Sequence, residues 1–174
     1  AGLIIEPIQC EGGDIYFSKH FLNGLQNICN KYNILFIVDE VQTGFFTSGK
    51  PWCFEHFDLK PDIVSFGKKS QQCGIFAMGE NIDKINNHCF NTSSRINSTW
   101  GGNLIDMVRS TKIIDIIKEN DLDKNAMEMG NLLTDELKKK NINNISNIRN
   151  LGLLISFDVK EKETKKKIIN KLLD

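Results

Sequence analysis

The chain has 174 residues, enough for one domain with a real core and too few for two full ones. Its 22 Lys and Arg balance 22 Asp and Glu, so no bulk charge recommends nucleic acid or an anionic membrane as a partner. Five scattered cysteines and three histidines form neither a disulfide framework nor a metal-ligand pattern, and no apolar run approaches the ~20 residues of a membrane span. We therefore expect reduced thiols, no metal and a cytoplasmic protein.

Leu3-Ile4-Ile5 reads as a short buried strand closed by Glu6-Pro7, and Glu11-Gly12-Gly13-Asp14 is loop chemistry. Ser18 can cap a helix whose apolar face is Phe21, Leu22, Leu25, Ile28 and Cys29, and Asn33 ends it. Residues 34–38 form a second buried strand running into Asp39-Glu40, and residues 62–66 a third running into Gly67-Lys68-Lys69. Strand, helix, strand with polar groups at the carboxyl ends indicates an α/β layer with its site along one edge.

Further on, residues 104–118 predict a helix with Leu104, Val108, Ile113, Ile114, Ile116 and Ile117 mainly inward, and a second helix runs from about 124 to 139. An asparagine-rich loop then precedes one strand over 151–159. Residues 1–142 are expected to belong to a larger domain, and 143–174 to open a smaller one. The lysine-rich tail reads as the solvated face of an amphipathic helix held by Ile168, Ile169, Leu172 and Leu173. The chain enters a strand at once and stops inside a helix, so we expect a piece of a longer protein. An incomplete sheet is then expected to expose edges and an apolar face.

Three strand ends bring Glu6, then Asp39 with Gln42, then Lys68 with Lys69 to one edge. Singly these residues have plain explanations: a helix cap for Asp39, a structural ion pair for Glu6, a turn residue for Thr99. Jointly, an amine nucleophile and a fixed carboxylate are what pyridoxal phosphate requires. The amine forms a Schiff base with its aldehyde, and the carboxylate keeps the pyridine nitrogen protonated. Residues 44–50 also satisfy the nucleotide-binding pattern G-x-x-x-x-G-K. Pro51 replaces the magnesium-binding hydroxyl, however, no strand immediately precedes Gly44, and Phe45 and Phe46 crowd the loop, so that reading is set aside.

Glu6-Pro7-Ile8-Gln9, Glu11-Gly12-Gly13-Asp14, Asp39-Glu40-Val41-Gln42-Thr43-Gly44, Pro61-Asp62-Ile63 and Phe66-Gly67-Lys68-Lys69 occur in that order. Together they resemble the class III (omega) aminotransferases, of fold type I among pyridoxal-phosphate enzymes, over residues 1 to about 158. The stretch 93–104, with Thr99-Trp100-Gly101-Gly102-Asn103, is similar to the lysine 6-aminotransferases, as are Gln71 and Cys73-Gly74. The 4-aminobutyrate aminotransferases share several of these elements and are the nearest alternative.

The resemblance implies an α/β, aspartate aminotransferase-like fold, with part of the large mixed-sheet domain followed by the start of the small one. It implies transfer of the terminal amino group of L-lysine, or else of 4-aminobutyrate or ornithine, to 2-oxoglutarate, in a homodimer with shared active sites. Lys68 is implied to hold the cofactor and move the proton; only the Gly-Lys position separates it from Lys69. Asp39 is implied to pair with the pyridine nitrogen, Val41 to pack on the ring and Gln42 to sit by the ring's 3-oxygen. Thr99 is implied to bind the phosphate of the other subunit's cofactor. Glu11 is implied to gate the donor and 2-oxoglutarate by pairing with an arginine outside these 174 residues, and Glu6 to line the site. The family's phosphate loop also lies outside them, so the chain alone is expected to be inactive. A non-catalytic binding or scaffold relative is the alternative of another class, and intact Asp39, Gln42 and Lys68 stand against it.

Overall fold

The computed structural model describes residues 1–78, 80–95 and 102–173. In chain order the elements are β1 (Gly2–Ile5), β2 (Ile8–Gln9), β3 (Ile15–Tyr16), α1 (Lys19–Tyr32), β4 (Leu35–Asp39), a 3-10 turn (Cys53–Phe57), β5 (Ile63–Phe66) and β6 (Gly74–Ala77). Then follow α2 (Glu80–Asp83), α3 (Leu104–Glu119), α4 (Leu122–Lys139), β7 (Ile145–Leu151), β8 (Leu154–Val159) and α5 (Lys162–Leu173).

The main sheet has the order β1-β4-β5-β6. Its first three strands are parallel, pairing Ile5 with Val38 and Asp39 with Ser65, so their carboxyl ends meet at one edge. β6 returns antiparallel, with Gly74 opposite Phe66. This strand was not foreseen, because four residues after a turn carry no period of their own and take their conformation from the neighbouring ladder.

Alternation gives the sheet two unlike faces. Phe36, Val38 and Val64 are buried together with Leu22 and Cys29 of α1 and with Phe54 and Leu59, and this is the core. The helix starts where Ser18 Oγ accepts from the Phe21 amide at 3.2 Å, and Asn33 ends it in the left-handed region. Its buried stripe is narrower than expected: Phe21 and Ile28 are exposed, and Phe21 instead stacks on Phe17 at 5.2 Å. The other face of the sheet carries Ile4, Ile37, Ile63 and Ile75 with Asp39 and Ser65, and Ile4 is 63% exposed.

The second half departs further from expectation. Leu104, Val108 and Ile116 of α3 face outward, and Leu104 is 76% exposed. Apolar residues surround this helix rather than forming one stripe, and it rests mainly on α4. α4 buries Ala126, Gly130 and Thr134, small residues four apart that let a backbone approach closely. What approaches is a hairpin, where a single strand over 151–159 was expected. Residues 145–151 pair antiparallel with 154–159 around Gly152, which has φ 57°. The irregularity between Ser146 and Arg149, with Asn147 at φ 49°, breaks the period of two and hides β7 among asparagines. α5 forms over the lysine-rich tail, but Leu172 and Ile169 are exposed, while Thr164 and Ile168 are half-buried. Among the described residues, no helix is long and apolar enough to cross a membrane.

Candidate active site

The site sits where the parallel strands end. Asp39, the last residue of β4, is half-buried, and its Oδ1 accepts from the Val41 amide at 3.0 Å, which turns the chain out of the strand. The next residue is a carboxylate with a different task. Glu40 is 1% exposed; its Oε2 accepts from Thr43 Oγ1 at 2.7 Å and its Oε1 from the Phe54 amide at 2.7 Å. Burial pushes this carboxyl up to about 7, against the opposing pull of those hydrogen bonds. The Glu40 carbonyl also accepts from the Gly44 amide at 2.9 Å, in a turn so tight that a Cβ on Gly44 would lie 2.8 Å from that oxygen. One buried side chain thus fastens the turn that carries Val41 and Gln42.

Beyond β5, Gly67 is buried and begins a second turn. Ser70 Oγ lies 2.7 Å from both the Gly67 and Gln72 carbonyl oxygens and closes it. Within this turn the two lysines separate. Lys68, expected to be the reactive amine, is exposed and does not line the cleft described below. Lys69 is half-buried and its Nζ donates to the Gln42 carbonyl oxygen. Burial lowers the Lys69 pKa first, and the Lys68 charge lowers it further, while Cys10 and Glu40 act the other way.

Lys69 and Gln42 face a cleft of about 450 Å³ whose other lining includes Cys10, Glu11, Asp14, Tyr16 and residues 153–155. Glu11 and Gln42 therefore line one cleft. Asp39, Val41 and Glu6 lie at the same sheet edge, half-buried, without lining this cleft. Thr99 lies outside the described residues. Cys10, Tyr16 and Glu40 were missed. Only the Asp-Glu pair at a strand end hinted at Glu40, while Cys10 and Tyr16 carried no signal because distant residues supply their neighbours. The nucleotide-loop pattern at 44–50 is not a phosphate cradle: the Phe45 and Phe46 amides donate to the Pro51 carbonyl, and Lys50 Nζ donates to that of Glu55.

All 174 residues match the family model of class III aminotransferases. The chain belongs to that family. As a class III member it is 38% identical to the L-lysine-epsilon aminotransferase of Amycolatopsis lactamdurans, across 99% of this chain and 39% of that protein. It is 39% identical to the 4-aminobutyrate aminotransferase of Dictyostelium discoideum, across 91% of this chain and 32% of that protein. Among solved structures, lysine aminotransferase from M. tuberculosis superposes with a TM-score of 0.90 at 38% identity, covering 98% of this chain and 40% of that one. Acetylornithine aminotransferase from Elizabethkingia anophelis follows with 0.83 at 30% identity, covering 98% and 43%. The chain thus spans about two fifths of these relatives' length, and its fold is that of fold type I.

Class III aminotransferases depend on pyridoxal phosphate, and the donor set at this edge fits it. The chain brings a carboxylate, Asp39, and an amine pair, Lys68 and Lys69, to adjacent parallel strand ends, which is the donor set that group needs.

Proposed function

We propose that the whole protein transfers the terminal amino group of an omega-amino donor, L-lysine before others, to 2-oxoglutarate. The observation that carries this reading is the meeting of two parallel strand ends, Asp39 of β4 and the Gly67-Lys68-Lys69 turn after β5, beside a cleft lined by Gln42, Lys69 and Glu11. The reactive amine in this reading is Lys68, the residue at the Gly-Lys position after β5, with Lys69 beside it on the cleft wall.

When bound, pyridoxal phosphate supplies an electron sink for the carbon that loses the amino group. The chain's own residues do the rest. Asp39 holds a negative charge at the ring nitrogen, Val41 and Gln42 orient the ring, and Lys68 Nζ carries the proton. Glu11 and Asp14 place two carboxylates on the cleft wall, which suits a donor with a second ammonium group and favours lysine or ornithine over 4-aminobutyrate. The names of the relatives support the same order. Glu6 lines the approach, and Thr99 binds the cofactor phosphate of a second copy in a cytoplasmic homodimer. The boundary between the larger and smaller domains falls at 142/143, a reading supported by the separate β7–β8 sheet.

Borohydride reduction of the whole protein loaded with pyridoxal phosphate, followed by peptide mapping, tests the assignment. Label on Lys68 is expected. Label on Lys69 would move the role to that residue, and no specific label would favour a non-catalytic relative. On the loaded protein without reduction, kcat/KM is expected to be highest for lysine, and a preference for 4-aminobutyrate would overturn the donor.

A further inference from the structure

The cleft has two walls that come from distant parts of the chain. One is the loop from Cys10 to Tyr16, which carries Glu11; the other is the start of β8, with Leu153, Leu154 and Ile155. Two side chains cross between them. Arg149 of β7, with its side chain only one-fifth exposed, donates from Nε to the Asp14 carbonyl oxygen at 3.1 Å. Its NH1 donates to the Asn147 carbonyl at 2.7 Å and to Asp158 Oδ1 at 2.9 Å, so the guanidinium is aimed by its own hairpin. Its Cζ lies 5.7 Å from the centre of the Tyr16 ring. Tyr16 reaches the other way, and its hydroxyl donates to the Leu154 carbonyl at 2.8 Å.

We propose that Arg149 and Tyr16 are positioning residues for the amino donor. Together they rivet the Glu11 loop to the hairpin and set the opening of the cleft through which the donor reaches the reactive lysine. This rests on reading the cleft as the donor site. An exposed ion pair such as Arg149 with Asp158 stabilises little by itself. The planar fork is different, because one group satisfies a loop carbonyl, a hairpin carbonyl and a carboxylate in fixed directions. A lysine has the charge and lacks the fork. Arg149→Lys should therefore behave like Arg149→Met, an outcome that a purely electrostatic role would not produce.

The test uses the whole protein and two readouts. In the cofactor-free form, hydrogen exchange is followed at the Gly13 and Asp14 amides, which donate to the Cys10 carbonyl at 3.1 and 3.0 Å. Arg149→Met is expected to speed their exchange about tenfold, the loss of one charge-assisted hydrogen bond, with α1 unchanged. In the loaded form, KM for the amino donor is expected to rise about tenfold, with kcat and cofactor content nearly unaltered. Tyr16→Phe, which removes the hydroxyl that bonds Leu154 and keeps the ring beside Arg149, should shift both readouts the same way by less, and serves if the arginine variants fail to fold. Unchanged exchange at 13–14 overturns the proposal, as does a fall in kcat with cofactor loss and constant KM. If the unaltered protein turns over no amine, the functional reading fails, while the exchange measurement still decides whether the rivet exists.

Discussion

Asp39 and Glu40 are consecutive carboxylates with opposite fates, and the difference is burial. Asp39 stays half-buried at the sheet edge, whereas Glu40 turns inward and bonds Thr43 and the Phe54 amide. With its folded pKa near 7 against an ordinary 4.5, Glu40 favours the fold most when both states are protonated, below about pH 4.5. As pH rises, the unfolded chain ionises first and stability falls, flattening above pH 7, by up to about 3 kcal/mol at ~1.4 kcal/mol per unit. Glu55 nearby adds to the upward shift. Glu40→Gln keeps the size and an acceptor for Phe54 and cannot ionise. Its urea midpoint relative to the unaltered protein is therefore expected to improve between pH 5 and pH 8. A difference independent of pH would contradict the burial account. The lysine pair divides by burial too: in the turn closed by Ser70, Lys68 is exposed and Lys69 lies half-buried on the cleft wall.

At the scale of elements, the joint between α4 and the β7–β8 hairpin sets two effects against each other. Replacing Gly130 by alanine in a helix should stabilise by about 1 kcal/mol on propensity alone. Here a Cβ at Gly130 would run into the Gly152 carbonyl oxygen, and Gly152 is itself wedged against Thr47 and Ser48 at φ 57°. Both obstacles are backbone, so neither can swing aside, and overpacking at about 1–3 kcal/mol outweighs propensity. Gly130→Ala is expected to lower stability in urea and to loosen the hairpin; a gain in stability would mean that the joint yields. The sequence marks the helix that carries Ala126, Gly130 and Thr134. It does not mark what that helix faces, because β7 is bulged and rich in asparagine.

For the molecule as a whole, the open face of the sheet and α3 expose Ile4, Ile75, Leu104, Ile105 and Val108. Apolar surface of this extent drives association. The 174-residue chain by itself is expected to sediment as concentration-dependent aggregates and to bind an apolar dye; a dye-silent monomer would contradict this. The same scale separates what each level of information decides. Local sequence determined the parallel strands with acidic and basic residues at their ends, the helix between Ser18 and Asn33, and the class III motifs, because apolar period, capping chemistry and motif spacing are properties of neighbours in the chain. Only the tertiary structure decided that β6 completes the sheet, that 145–159 is a hairpin, that Lys69 faces the cleft and that Arg149 meets Asp14. Each of those depends on burial or on a partner far away in sequence, and desolvation and long-range hydrogen bonds exist only once the chain has closed on itself.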